Sequence, residues 1–427
     1  MKKMLPFIYT MISVMVFSGT SLFAASLVEE RRYEPVVLPA YNSAINSLQG
    51  AKVDQIYLYA WHDVSAQWQL MPFQIDEQTF GPDPRNLNIN KWFYFIPPLW
   101  SEIDSISISE HNGLFDDHDE LVFMVPDCGD KAPENTFLEV DGEKLLPKIE
   151  VVLSDPLNTD NKAYAYLFTS AMQKQIPSPY EFEYFADADS VTSKYYGFGL
   201  SESGAVDDIV IKQPGGSGLD LLDKLKIRFS GILDFAFPIT VLVKEHDFYL
   251  FPEINVTENP IVRLIRESRI TLALGDYLID ELAFPVLTKF YPYSGFIDGG
   301  TSLAPEDLSF YYNDVEVLMV VHSIRESWDY NENAVGMKFY NKYNNGILID
   351  GVTDEWDKSV DLPVNAWDLT TGDQGSIFKM AQFTEQKWGG VEVYYHDSQK
   401  GGQADSLVFN DTEDSGDGMS YGDNGIL

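Results

Sequence analysis

The run Ile56-Tyr-Leu-Tyr-Ala-Trp61 sets Ile56, Leu58 and Ala60 at alternate positions with Tyr57, Tyr59 and Trp61 between them, so a strand here carries bulk on both faces. Aromatic and β-branched residues at that period suit a sheet buried on one side and partly covered on the other. Similar short runs recur at 121–125, 149–153, 163–168, 239–243, 315–321 and 391–395. Turn signals separate many of them. Asp141-Gly142 follows Phe137-Leu-Glu-Val140, and Asn345-Gly346 lies between 338–343 and 347–349; both dipeptides supply the positive φ that tight hairpins require. Helical periodicity is scarce, and its best candidate, 219–227, reads equally well as the entry to a strand. The expected class is all-β, or β-dominated, with a small N-terminal β-sandwich followed by a large β-sandwich.

The chain has 427 residues, a length that favours two or three domains. Ser154-Asp155-Pro156 and Pro177-Ser178-Pro179 break it in the first half. An N-terminal β-domain is expected over about 27–175, a large β-sandwich domain over 176–400 and an acidic Gly/Asp-rich segment over 401–427. Residues 1–26 read as an export leader. Lys2 and Lys3 precede the mostly apolar run 4–17, small residues follow, and cleavage after Ser26 sets Ala24 and Ser26 at the two positions that want small side chains; Ala24 and Ala25 are alternative cut points. The run is short for a spanning helix and no second one occurs downstream, so the protein is expected in the periplasm or outside the cell, with no membrane span. Cys128 is the single cysteine, which rules out an intramolecular disulfide. Asp127 beside it disfavours a thiolate and hence a nucleophile.

Lys and Arg number 29 against 66 Asp and Glu, a net charge of −37. Phosphate backbones repel such a chain, so nucleic acid is excluded as a partner. The acids are uneven. Five of them, and no Lys or Arg, fall in 110–120, which includes Asp116, Asp117, Asp119 and Glu120. A hard cation such as Ca²⁺ relieves that repulsion, because it takes about six to eight oxygen ligands and tolerates irregular loops. The spacing is not that of an EF-hand, and a solvated turn guarding the apolar strand after it explains the same residues. Asp411, Asp414 and Asp417 form a second cluster among glycines, which suits either a calcium loop or an acidic tail.

Catalytic signatures are mostly absent. The six histidines include no metal-binding helical pair, Gly199-Leu-Ser201-Glu-Ser203-Gly204 is out of register for a nucleophile elbow, and no glycine-rich phosphate loop is present. A polysaccharide lyase needs a base and a cation for its uronate; His322 with Arg325, or Arg263 and Arg266, are candidates for those roles. The 24 Tyr and 8 Trp supply flat rings that stack on sugars, with Tyr291-Pro-Tyr293 and Trp92-Phe-Tyr-Phe95 as candidate groove residues or as filling for large sheets.

Two stretches carry family resemblances. Asn112-Gly-Leu-Phe-Asp116-Asp-His-Asp119-Glu-Leu-Val-Phe123 resembles an Asn-Gly-x-Phe-Asp-x-x-Asp turn and strand of secreted bacterial β-proteins, including the β-domains that precede the catalytic part of gingipain-like proteins. No cysteine protease dyad accompanies it. Asn259-Pro260-Ile-Val-Arg263-Leu-Ile-Arg266, followed by Phe290-Tyr-Pro-Tyr293, looks like a stretch of galactose-mutarotase-like supersandwich domains. That resemblance implies a supersandwich that handles glycans, and places no catalytic residue. The functional expectation is a secreted or periplasmic non-catalytic β-protein that binds glycan or a protein partner, with Ca²⁺ in its acidic loops; the alternative is a lyase or hydrolase on a supersandwich. If calcium is bound, a chelator lowers the melting midpoint and added Ca²⁺ restores it, whereas an unchanged midpoint removes calcium from the account.

Overall fold

Alternation in the sequence becomes strand pairing. Ile56–His62 runs antiparallel to Asn158–Thr169, with Leu58 opposite Leu167 and Tyr59 opposite Tyr166. The computed structural model describes residues 8–13, 27–83, 86–95, 112–140, 142–171, 175–234, 238–274, 277–298, 308–312, 315–352, 365–383, 393–398 and 420–426. Strands make up 56% of the structure and helices 8%, so the protein is β-dominated, as the patterning requires. The chain forms two compact units. One comprises Thr20–Glu181 together with Glu258–Leu264; the other comprises Met1–Gly19, Phe182–Thr257 and Ile265–Leu427.

In the first unit, a four-stranded sheet runs in the order Ile149–Asp155, Asn158–Thr169, Ile56–His62, Gln67–Leu70. A three-stranded sheet orders Pro35–Pro39, Glu120–Met124 and Phe73–Asp76. One apolar core draws on both: Leu58, Ala60, Ala165 and Leu167 from the first, Leu121, Phe123 and Phe73 from the second. Trp68 meets Trp61, Tyr166 and Phe168 edge to face, with centroids 5.3, 5.0 and 5.2 Å away. Cys128 is buried, and desolvation raises its thiol pKa, which leaves it inert.

A later piece of chain completes this unit. Gln74 acts on Glu258–Leu264 as a backbone strand would. Its Oε1 accepts from the N–H groups of Ile261, Val262 and Arg263 at 2.9, 3.3 and 3.3 Å, while its Nε2 donates to the Arg263 carbonyl at 2.8 Å. The Arg263 guanidinium is fully buried and paired with two carboxylates: Nε donates to Asp76 Oδ2 at 2.9 Å, and Nη2 to both Asp76 and Glu120, the latter at 2.7 Å. Tyr94 donates to the same Glu120 oxygen at 2.8 Å and lies 5.4 Å from the guanidinium.

The second unit is built from a ten-stranded sheet, a six-stranded sheet and a four-stranded sheet. The ten-stranded sheet includes, in order, Tyr277–Phe290, Ser294–Asp298, Ile8–Ser13, Gly375–Phe383, Asn365–Gly372, Lys338–Asn341 and Asn345–Leu348. The six-stranded sheet runs Pro238–Val243, Leu222–Asp234, Val315–Tyr330, Ser420–Ile426, Val393–Ser398, with Leu308–Tyr312 also on Val315–Tyr330. Facing side chains join the two sheets: Lys379 Nζ donates to Asn424 Oδ1 at 2.6 Å, Phe339 stacks on Tyr395 at 5.1 Å, and Lys379 stands 5.3 Å from the Trp328 ring.

Of the two readings open for 219–227, the strand entry holds: the stretch leads into Leu222–Asp234, which pairs across to Val315–Tyr330. Two other local readings change. Val315–Tyr330 runs on for sixteen residues, well past the expected 315–321, and buries Arg325 and Asp329 in its far half. Asn345-Gly346 is not the turn. Asn341 closes the chain earlier by accepting from the N–H groups of Tyr343 and Asn344 at 2.9 and 2.7 Å, and Gly346, at φ +82°, forms the bulge that passes the Tyr340 ring.

Two predictions follow from these pairings. Arg263→Met leaves Asp76 and Glu120 without their buried cation and should lower the unfolding free energy by about 3–5 kcal/mol in urea titrations. Asp127 accepts from Tyr180 at 2.6 Å, and Asp397 accepts from the N–H groups of Asp350 and Gly351 at 2.9 Å each. Desolvation pushes both carboxyls from the ordinary 3.8 up to about 6. Folded protein thus holds these protons more tightly than unfolded chain. Their contribution is complete below about pH 4 and is lost as pH rises through 6, so the urea midpoint should fall between pH 5 and pH 8.

Candidate functional site

The acidic turn of the first unit is tied down by its own chain. Asn112 Oδ1 accepts from Leu114 N at 2.8 Å, and Gly113 holds φ +71°. Phe115 is buried beneath. Asp119, 1% exposed, accepts from Asp116 N at 2.9 Å and Gln78 N at 3.0 Å. Desolvation pushes its carboxyl up to about 7 against the pull of those two N–H groups. Asp117 accepts from Gln49 at 2.5 Å, Asp116 from Asn112 at 3.3 Å, and Glu120 from Arg263 and Tyr94. The four carboxylates therefore take four different sets of partners. Among the described residues no group of three or more His, Cys, Asp and Glu is placed to hold a metal ion. Asp411, Asp414 and Asp417 lie outside the described residues.

Tyr291 and Tyr293 belong to a clamped turn in the second unit. Tyr196 donates its hydroxyl to the carbonyls of Tyr291 and Ser294 at 2.8 and 3.3 Å, and Ser193 donates to the Pro292 carbonyl at 3.3 Å. Tyr291 is buried, whereas Tyr293 is half-buried and stacks on Tyr195 with centroids 4.3 Å apart.

Arg325 sits on one face of the six-stranded sheet among fully buried charges. It lies opposite Arg228 and packs 4.5 Å from the Tyr394 ring. On the same face Lys226 Nζ is 2.7 Å from Asp329 and 3.3 Å from Asp423, and Arg228 is 3.5 Å from Glu245. Among the described residues three cations and three carboxylates balance there. Sharing one ammonium holds the near oxygens of Asp329 and Asp423 within about 6 Å of each other, close to the separation of a retaining glycosidase pair. His322 lies on the same strand, between the paired Val321 and Ser323, and its side chain is outside the described residues. Arg266 is engaged elsewhere: its Nε meets Asp189 at 2.8 Å and its Nη1 meets Ser268 at 2.8 Å.

A further feature escaped the sequence reading. Across Lys338–Asn341, Asn365–Gly372 and Gly375–Phe383, Tyr340 lies opposite Leu369 and Leu369 opposite Phe378, while Trp367 lies opposite Met380. These apolar residues share one face with the Thr371 and Ser376 hydroxyls, which meet at 2.6 Å. Trp367 is 41% exposed, and its ring lies 6.2 Å from Phe378 at an interplanar angle of 23°. The opposite face is the buried one. It holds Asp368 and Lys379, 3.3 Å apart, and Lys379 is 5% exposed. Polar and apolar residues are therefore exchanged relative to ordinary patterning. The alternation of Trp367, Leu369, Phe378 and Met380 with Asp368 and Lys379 signals a two-faced sheet, but it assigns the charged residues to solvent.

No protein-family model matches the chain, and no curated protein matches it. Among solved structures, an alpha-mannosidase from Enterococcus faecalis V583 matches with 10% identity and a TM-score of 0.34, covering 88% of this chain and 39% of that one. The chain thus spans less than half the length of that enzyme, and a likeness at this level assigns neither a fold family nor an activity.

Proposed function

We propose that this chain is an exported, non-catalytic β-protein that binds a neutral glycan on the sheet face of Tyr340, Trp367 and Phe378. One observation carries the reading: an exposed tryptophan lies nearly parallel to a second ring on a sheet face rich in apolar residues, with the exposed Lys338 at its margin, while Asp368 and Lys379 of the same strands turn to the opposite face. Flat rings stack on the apolar faces of pyranoses, and the Thr371 and Ser376 hydroxyls beside them offer polar edges to sugar hydroxyls. An apolar face left in water invites an occupant. The net charge of −37 disfavours uronate-rich or sulfated polymers and leaves uncharged chains as the suitable class.

A second reading, a polysaccharide lyase or hydrolase on a supersandwich scaffold, draws on Asp329 and Asp423 around Lys226 and on Arg325 beside Tyr394. Their complete burial makes a structural ion network the simpler role.

Affinity electrophoresis through gels containing mannan, glucan or xylan separates the readings. Wild-type protein should be retarded by at least one of these polymers. Trp367→Ala, with an unchanged circular dichroism spectrum, should bind about tenfold more weakly or not at all, as expected for loss of a central aromatic anchor. Replacing Tyr41, which is exposed in the first unit, should change nothing. Retardation unaffected by Trp367→Ala would move the glycan site elsewhere, and release of new reducing ends or unsaturated product would favour the enzyme.

A further inference from the structure

Ile8–Ser13 lies inside the ten-stranded sheet. Thr10, Met11, Ile12 and Ser13 pair antiparallel with Ile297, Phe296, Gly295 and Ser294 on one side. All six residues pair with Phe383 through Phe378 on the other. These residues also fall within the apolar run of the segment that reads as an export leader. One molecule cannot use them both ways. Cleavage after Ala24, Ala25 or Ser26 removes a strand that has neighbours on both sides.

We propose that in the processed chain the slot between Ser294–Asp298 and Gly375–Phe383 receives an extended segment of a partner protein, which completes the sheet by strand addition. The inference rests on the export reading and is independent of glycan binding. Two inter-strand spacings separate the walls of the slot, about 9.6 Å, too far for their backbone groups to bond each other. Ser294, Ser376, Ile377 and Lys379 on these walls are buried, and in such a layer an unpaired N–H or C=O is costly.

Each wall is pinned against closing the gap. Lys379 is held to the second sheet by Asn424, at 2.6 Å to Oδ1 and 3.1 Å to the carbonyl, and stands 3.3 Å from Asp368. On the other side, Tyr196 holds the carbonyls of Tyr291 and Ser294, and Ser193 holds that of Pro292. A lateral shift of one strand spacing would break one of these sets.

The chain's own strand indicates the chemistry of the occupant. Ile8–Ser13 carries no charge, and Ile8, Thr10 and Ile12 place a β-branched residue at each register position opposite Phe383, Ala381 and Lys379. Lys379 shares its face with Ile377, which is fully buried. The fitting partner is therefore an uncharged stretch of about six residues, β-branched at every second position, bound chiefly through its backbone. A second processed copy has lost this segment along with its leader.

Hydrogen exchange on the protein recovered from exporting cells tests the proposal, with the N-terminus read by intact mass and the oligomeric state by native mass. The probe is a synthetic peptide with the sequence of residues 7–14, flanked by lysines for solubility. The processed monomer should exchange rapidly over both 294–298 and 376–383, and the peptide should slow both by roughly tenfold or more. The same peptide with proline in place of Met11 should slow neither. Protection of both strands in a processed monomer without peptide would overturn the proposal, as would exchange that the peptide leaves unchanged or an exported protein that retains its leader. Protection confined to a dimer would assign the slot to a second copy and overturn the hetero-partner.

Discussion

A charge removed from water must be paired, and in this chain the cations are the scarce partner. Only 29 Lys and Arg face 66 acids, yet Lys226, Arg228, Arg263, Arg266, Arg325 and Lys379 are all buried. Each holds a carboxylate or lies within a balanced cluster, because an unpaired buried charge costs several kcal/mol. The first unit is closed by Arg263 on Asp76 and Glu120, and the ten- and six-stranded sheets of the second are joined at Lys379. Placing cations inside leaves the exterior still richer in acids than the overall composition implies. Such a surface repels anionic ligands and leaves uncharged and cationic ones as the classes that can approach it.

The same distribution explains what could be read from the sequence and what could not. Strands such as Ile56–His62 and Glu120–Met124 were legible because aromatic and β-branched residues alternate with little charge among them. Leu222–Asp234 and the far half of Val315–Tyr330 were not, since Lys226, Arg228, Arg325 and Asp329 look like solvated positions until the opposing strand is known. Sequence also pointed to Asp119 and Glu120 without revealing their partners, Gln78 and Arg263, which come from other parts of the chain. Arg263 and Arg266 stand three residues apart, yet they serve carboxylates 187 and 77 residues away. Spacing along the chain carries no trace of such pairings.

The aromatic face at Trp367 and the strand position of Ile8–Ser13 adjoin within one sheet, since Ile8–Ser13 pairs directly with Gly375–Phe383. Met11 stands opposite Met380, which in turn stands opposite Trp367. A segment added there would lie one strand from the rings, and its residue at the Met11 position would border the aromatic face proposed for glycan. Filling the position would extend that face by one strand's width.

The segment Glu258–Leu264 sets a timetable. Chains emerge from the ribosome, and cross membranes in unfolded form, beginning at the N-terminus. The first unit has nearly all of its sequence by Glu181 but lacks the Arg263 cation until about eighty further residues have appeared. At ordinary synthesis rates that interval is on the order of ten seconds. Throughout it Asp76 and Glu120 repel each other in an unclosed core, which penalises early folding. If the chain is exported as proposed, through a channel that passes unfolded polypeptide, that delay favours its passage, because the N-terminal unit is not locked until Arg263 has arrived.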